Sequence, residues 1–222
     1  HAWAGYDFGD HLQAQLGVNQ VPFGIQPYAS HSFWFGLPYY VGLEDDYDSG
    51  LKLLYQAGEF SLDFAAYKGG EWGAGGTNER YSYDVVTNTD KNQYNEESNQ
   101  GNVQLRYTLE HAGGTTEVGA SGQVGQLYNT QTQENGYHWA AAVHTNTFWG
   151  RWNLMLEAGR YAYHPENPAD VPDDVVRMGA YADDFDVAAE ANFYVANLAY
   201  EIPVTWGPLS KVTVYENYSR IA

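Results

Sequence analysis

Apolar and polar side chains alternate with period two along most of this chain, in about ten separate segments rich in β-branched and aromatic residues. That period puts successive side chains on opposite faces of an extended strand. Leu12, Leu16 and Val18 alternate with Gln13, Gln15 and Asn19; Leu51, Leu53 and Tyr55 with Lys52, Leu54 and Gln56; Leu62 and Phe64 with Asp63 and Ala65. Val103, Leu105 and Leu109 oppose Gln104, Arg106 and Glu110, and Val118, Ala120 and Val124 oppose Glu117, Ser121 and Gln123. Tyr137, Trp139 and Val143 face away from His138, Ala140 and His144; Trp152, Leu154 and Leu156 from Asn153, Met155 and Glu157; Tyr194, Leu198 and Ile202 from Phe193, Asn197 and Glu201. The stretches His1 to Phe8 and Lys211 to Ser219 show the same pattern more weakly.

The segments are joined by two kinds of connection that alternate. Short turns are expected at Gly9 to His11, Gly58 to Glu59, Ala112 to Gly114, Phe148 to Arg151 and Pro203 to Pro208, and long polar excursions at Asn19 to Gly50, Gly69 to Gln100, Gln126 to Gly136 and His164 to Ala191. A transmembrane β-barrel has this organisation, with tight turns on the periplasmic side and long loops outside. The polar face agrees, being mostly Gln, Asn, Ser, Thr, His and Gly with sparse charge, as a water-filled lumen requires. Aromatic residues gather near strand ends, among them Tyr137, Trp139, Trp149, Trp152, Tyr161, Tyr200, Trp206 and Tyr218, where amphipathic rings suit the boundary between hydrocarbon and headgroups. The expected fold is therefore all-β: a transmembrane antiparallel barrel in the bacterial outer membrane, with residues 1–222 as a single barrel domain. If the short turns are periplasmic, both ends of the chain fall on the outer side, and Tyr218 to Ala222 lacks a terminal aromatic. Both features lead to the expectation that strands are missing at each end, about ten being visible here.

Composition narrows the function. Ten basic against 28 acidic residues give a net charge of −18, which disfavours any partner bound through phosphates and so argues against nucleic acid. The absence of Cys removes thiolate metal sites and a Cys nucleophile. The most apolar stretch, Phe33 to Leu43, is broken by Gly36, Pro38 and Gly42, so no helix spans a membrane.

Val18-Asn19-Gln20-Val21-Pro22-Phe23-Gly24, followed by Tyr28-Ala29-Ser30-His31-Ser32 and by Tyr39-Tyr40-Val41-Gly42-Leu43-Glu44-Asp45-Asp46-Tyr47-Asp48, resembles the porin superfamily around the phosphate-selective porin O/P group. The likeness is strongest over residues 10–70 and again at Val212 to Arg220. It implies a 16-stranded outer-membrane barrel, commonly a homotrimer, with one loop folded into the lumen as a constriction. The chain departs from that group in charge. On the face assignment above the pore-lining candidates are Lys52, Arg106 and Lys211 with Asp63, Glu110, Glu117, Glu157 and Glu201, joined by His138 and His144. Acid exceeds base there, so cations and neutral solutes are favoured over phosphate.

The constriction-loop candidates are Phe23, Tyr28, Glu44, Asp45, Asp46 and Asp48. The acidic run among them could hold Ca²⁺ or Mg²⁺, though it lacks a calcium-loop spacing and also reads as a solvated acidic loop. Phe33, Trp34, Phe35, Tyr39 and Tyr40 read as a subunit interface or girdle ahead of a sugar-stacking path. His138 and His144 are about 20 Å apart along a strand, too far to share an ion. Glu157 with Glu216, or Glu110 with Glu117, are the carboxylate pairs a glycosidase would need, and no feature of the sequence couples them. The loops at Glu71 to Gln100 and His164 to Glu190 read as acidic surface loops, able to bridge lipopolysaccharide through divalent ions. The expected function is passive diffusion of small hydrophilic solutes and ions through a channel, with no catalysis and no cofactor. The alternative is a soluble Tyr- and Trp-rich β jelly roll that binds or hydrolyses polysaccharide.

Overall fold

A computed structural model describes residues 2–71 and 80–222; His1 of the first expected strand and residues 72–79 of the second long connection lie outside the described residues. Ten strands form one antiparallel sheet: β1 (Ala2–Asp7), β2 (Leu12–Gln20), β3 (Tyr47–Ala57), β4 (Phe60–Gly70), β6 (Asn95–His111), β7 (Gly114–Asn129), β8 (Asn135–Trp149), β9 (Trp152–His164), β12 (Glu190–Trp206) and β13 (Leu209–Ile221). Each pairs with the next in that order. The three short strands β5 (Asp84–Val85), β10 (Val175–Ala180) and β11 (Asp183–Ala188) form a second sheet in the order β11-β10-β5. Among the described residues β1 and β13 each pair on one side only, and the ten-stranded sheet does not close. Among the described residues no helix is long and apolar enough to cross a membrane.

The alternation of short and long connections is present. Residues 8–11, 58–59, 112–113, 150–151 and 207–208 join neighbouring strands at one end of the sheet, while residues 21–46, 71–94 and 165–189 make the long excursions at the other. Gly58 and Gly150 adopt φ of 60° in two-residue turns, a conformation nearly free of cost only to glycine.

Three boundaries differ from expectation. The expected excursion at Gln126 to Gly136 is five residues, 130–134, because Gln126 and Leu127 pair with Tyr137 and Gly136; Asn129, which reads as loop in sequence, is buried with its Nδ2 donating to Asn95 Oδ1 at 3.0 Å. The turn expected at Pro203 to Pro208 is only Gly207 and Pro208, since Pro203 sits inside β12 at a break in register between Pro203 and Trp206. Strand β6 starts at Asn95, well inside the region expected as loop up to Gln100.

Burial is inverted relative to a water-soluble sheet. Gln104 is 0% exposed, His138 2% and Asn197 2%, whereas Leu105 is 42%, Val143 60% and Val124 62% exposed. Lys52, Asp63, Asn102, Gln123, Asn153 and Glu157 share the covered face, and the apolar face assigned from the alternation is the open one on the strands of the large sheet from β2 to β12. The apolar core sits where the long connections fold over the covered face. Val21, Phe23, Val41 and Leu43 pack there with Tyr67, Leu127, Tyr161, Tyr163 and Phe193 of the sheet and with Val85, Val176 and Met178 of the second sheet. The expected surface loops are thus partly core: Val176 and Met178 are fully buried, and Arg177 between them pairs with Asp184 and Asp186. Their acidic composition conceals this short hairpin.

Candidate functional site

The covered face of the sheet and the loop lying across it form the most elaborately built region of the molecule. Gln20 and Tyr47 pair at the last rung between β2 and β3, so residues 21–46 leave and re-enter the sheet at adjacent positions. The Val21 N–H donates to Asp46 O at 2.9 Å and closes the base of the loop. Pro22 and Pro27 cannot continue a ladder, and the segment instead traverses the polar face. Gly24 N donates to Ser121 Oγ at 3.1 Å on β7, while Gly24 O accepts from Gln104 Nε2 at 2.7 Å on β6. Ile25 N donates to Glu157 Oε2 at 3.1 Å on β9, and Asn197 Nδ2 on β12 donates to Ala29 O. Further on, His31 N donates to Asn217 Oδ1 at 3.3 Å on β13, His31 Nε2 lies 2.6 Å from Asn153 Oδ1, and Leu37 N donates to Ser219 Oγ at 2.9 Å. Side chains of the sheet thereby satisfy the backbone groups that an irregular buried segment would leave orphaned.

Close approach fixes residue choice at the centre of the crossing. Gly24 has φ of 61°, and a Cβ there would meet Glu157 Oε1 at 2.5 Å. Only glycine meets both demands.

A charged belt runs across the same face. Arg106 Nη2 donates to Asp63 Oδ2 at 2.8 Å, Lys52 Nζ donates to Gln20 O at 2.7 Å, and His144 Nε2 lies 3.4 Å from Glu117 Oε1. Glu157 is the cross-strand neighbour of His144. The structure therefore brings Lys52, Asp63, Arg106, Glu117, His144 and Glu157 together in the middle of the covered face. His138 lies apart from His144, stacked on Tyr163 at 5.5 Å and 3.9 Å from Glu97. Glu110, Glu201 and Lys211 are exposed at the short-turn end, where Lys211 pairs with Glu201. At Glu201 a cavity of about 230 Å³ opens, lined also by His31, Arg151, Asn153 and Thr213. Glu216 is opposite Leu198 on the other face, away from Glu157.

The acidic run of the loop is divided among three surroundings. Glu44 turns onto the covered face, where its Oε1 accepts from Ala29 N at 2.9 Å. Burial, and then the nearby Glu157 carboxylate, push Glu44 up to about 8. Asp45 is half-buried and accepts from Tyr47 Oη at 3.0 Å and from Gln20 Nε2 at 3.2 Å. Asp46 and Asp48 are buried beside Asp84. Phe23 is in the core, and Tyr28 is exposed at the surface of the loop, edge-on to Phe35 at 5.4 Å. Phe33 and Trp34 project into the surroundings.

The docking side chains Gln104, Ser121, Asn153, Asn197, Asn217 and Ser219 were not singled out by the sequence. The available signal was their place on the polar face; their partners lie up to 186 residues away. Comparison with family models, curated proteins and solved structures returns no match for this chain.

Proposed function

We propose that the ten-stranded sheet is the wall of an outer-membrane channel for passive diffusion of small hydrophilic solutes and ions, weakly favouring cations. The observation that carries this reading is the inverted burial: an open apolar face on strand after strand, opposite a covered face of Gln, Asn, Ser, His and a few paired charges. A water-soluble protein rarely leaves a contiguous apolar patch of more than a few hundred Å² open. A bilayer removes that penalty and imposes the complementary one on polar groups. Dimensions support the reading. Trp139 and Trp149 lie on the open face of β8 ten residues apart, about 33 Å at about 3.3 Å per residue. With a strand tilt near 40° that is a height of about 25 Å, the thickness of the apolar band of such barrels. Trp152 and Tyr200 extend the lower ring of aromatics, with ring centroids 4.5 Å apart.

In this reading the 21–46 loop is the constriction, and the lumen field is acidic. Lys52, Arg106 and Lys211 face Asp63, Glu110, Glu117, Glu157 and Glu201. The β1 and β13 edges are paired in the membrane, because an unsatisfied amide in hydrocarbon is too costly to persist; Glu216, a carboxylate at mid-strand on the open face, lies on that β13 edge. A polysaccharide-binding jelly roll would need an apolar layer on the face that these strands cover with amides. The test is planar-bilayer conductance of the full-length protein, with the reversal potential read in a salt gradient. Channel steps with reversal on the cation side are expected. Absence of steps refutes the channel, and anion-side reversal refutes the charge argument.

A further inference from the structure

Five carboxylates converge where the long loop returns to the sheet. Asp46 ends the loop, Asp48 lies in β3, Glu71 follows β4, Asp84 opens β5 and Glu97 lies on β6. One oxygen from each of Asp46, Asp48 and Asp84 lies within 4.8 Å of the other two, and all three residues are buried. The positive charge among the described residues here is Arg80, which pairs with Asp84 and lies 3.7 Å from Glu71; His138, 3.9 Å from Glu97, adds charge only when its imidazole is protonated. Residues 72–79 add no Lys, Arg or His. The acid is therefore in excess, in a place where unbalanced charge is strongly disfavoured.

A second feature is independent of the carboxylates. Gln100 is 5% exposed, and its Nε2 donates to Asp48 Oδ2 at 3.1 Å, which holds the amide group against the cluster. Among the described residues its Oε1 has no hydrogen-bond partner, and neither has Asp46 Oδ1. Buried oxygens of this kind are normally satisfied.

We propose that Asp46, Asp48 and Asp84, with Gln100 Oε1, form a Ca²⁺ site that ties the inserted loop to β3 and to the 71–94 connection. The donors are all oxygen, which selects a hard cation. Ca²⁺–oxygen distances of about 2.3–2.6 Å place opposite ligands up to about 5 Å apart, and the three carboxylate oxygens lie within 4.8 Å of one another. Mg²⁺ dehydrates reluctantly and keeps several waters, so a buried cage built from protein oxygens suits Ca²⁺ better. Glu71 remains outside the site, its Oε1 accepting from Tyr81 N, Ser82 N and Ser82 Oγ at 3.1, 2.7 and 2.7 Å. The proposal does not rest on the channel reading.

The test is Tb³⁺ luminescence of the folded full chain after EDTA treatment, excited through Tyr47 and Tyr81, whose rings are 5.6 Å apart beside the cluster. Saturable emission is expected, reversed by Ca²⁺ at concentrations at least tenfold below those of Mg²⁺. Asp46→Asn is expected to weaken Tb³⁺ at least about 100-fold, beyond the effect of losing an outer-shell partner. In EDTA the same variant melts no lower than wild type, because an amide replaces a partnerless buried carboxyl oxygen. Emission that never saturates, or that survives in Asp46→Asn, overturns the proposal. A second readout needs no variant: the wild-type melting temperature rises with Ca²⁺ and falls back with EDTA, and a flat response also overturns it.

Discussion

Val143→Arg separates a membrane wall from a soluble sheet most directly. Val143 lies on the open face of β8, 60% exposed, near the middle of the span between Trp139 and Trp149. If that face meets water, an exposed Val→Arg exchange away from any special feature changes stability by no more than about 0.5 kcal/mol. If it meets hydrocarbon, the guanidinium is near the bilayer midplane and the cost is about 2–4 kcal/mol, a shift of roughly 30- to 1,000-fold in the folding equilibrium. Depth supplies the control. Thr147 is four residues nearer the short turn on the same face of β8, about 10 Å lower at the tilt used above, so Thr147→Arg should cost only about 0–1 kcal/mol. The assay is reversible folding into lipid vesicles against urea, with both variants compared to wild type. Equal costs at the two positions, or a Val143→Arg cost below about 0.5 kcal/mol, refute the membrane assignment of this face.

Glu44 makes stability fall as pH rises. Its folded value, about 8, exceeds the ordinary carboxylate value of 4.5, so between these values the folded state retains a proton that the unfolded chain has released. Glu44→Gln keeps an oxygen for the Ala29 N–H and should be more stable than wild type above pH 8, by on the order of a few kcal/mol, and equal to it near pH 4; urea melts across pH decide this. Gly24→Ala forces an alanine to φ of 61° and drives a methyl group into Glu157, so it should cost about 1–3 kcal/mol and raise single-channel conductance by releasing the crossing loop; unchanged melts and conductance would contradict the loop's role. Glu110→Lys, exposed at the open end of the polar face, should shift the reversal potential toward anions with stability within about 0.5 kcal/mol of wild type, and an unmoved reversal potential would remove Glu110 from the ion path.

The period-two pattern by itself determined the ten strands of the large sheet and both of their faces, though not all of their ends. It placed Gln104, His144, Glu157 and Asn197 on one side and Leu105, Val143, Leu156 and Leu198 on the other, because a pleated strand leaves no freedom about which side chains share a face. It also determined the alternation of turns and excursions, since turn residues act locally. Tertiary structure decided what local chemistry could not encode. The polar runs at Gln126 to Gly136 and Asn95 to Gln100 look like loop until their partners across the ladder and their polar surroundings are present. The acidic run from Glu44 to Asp48 is one feature in sequence and three in space, because consecutive residues leaving a loop point in different directions: Glu44 toward Glu157, Asp45 toward Tyr47, and Asp46 toward Asp84. Asp84 and Gln100 could not have been joined to that run from spacing alone. Their approach depends on how β3, β4 and β6 lie side by side and on the path of the connections above them, which long-range packing fixes.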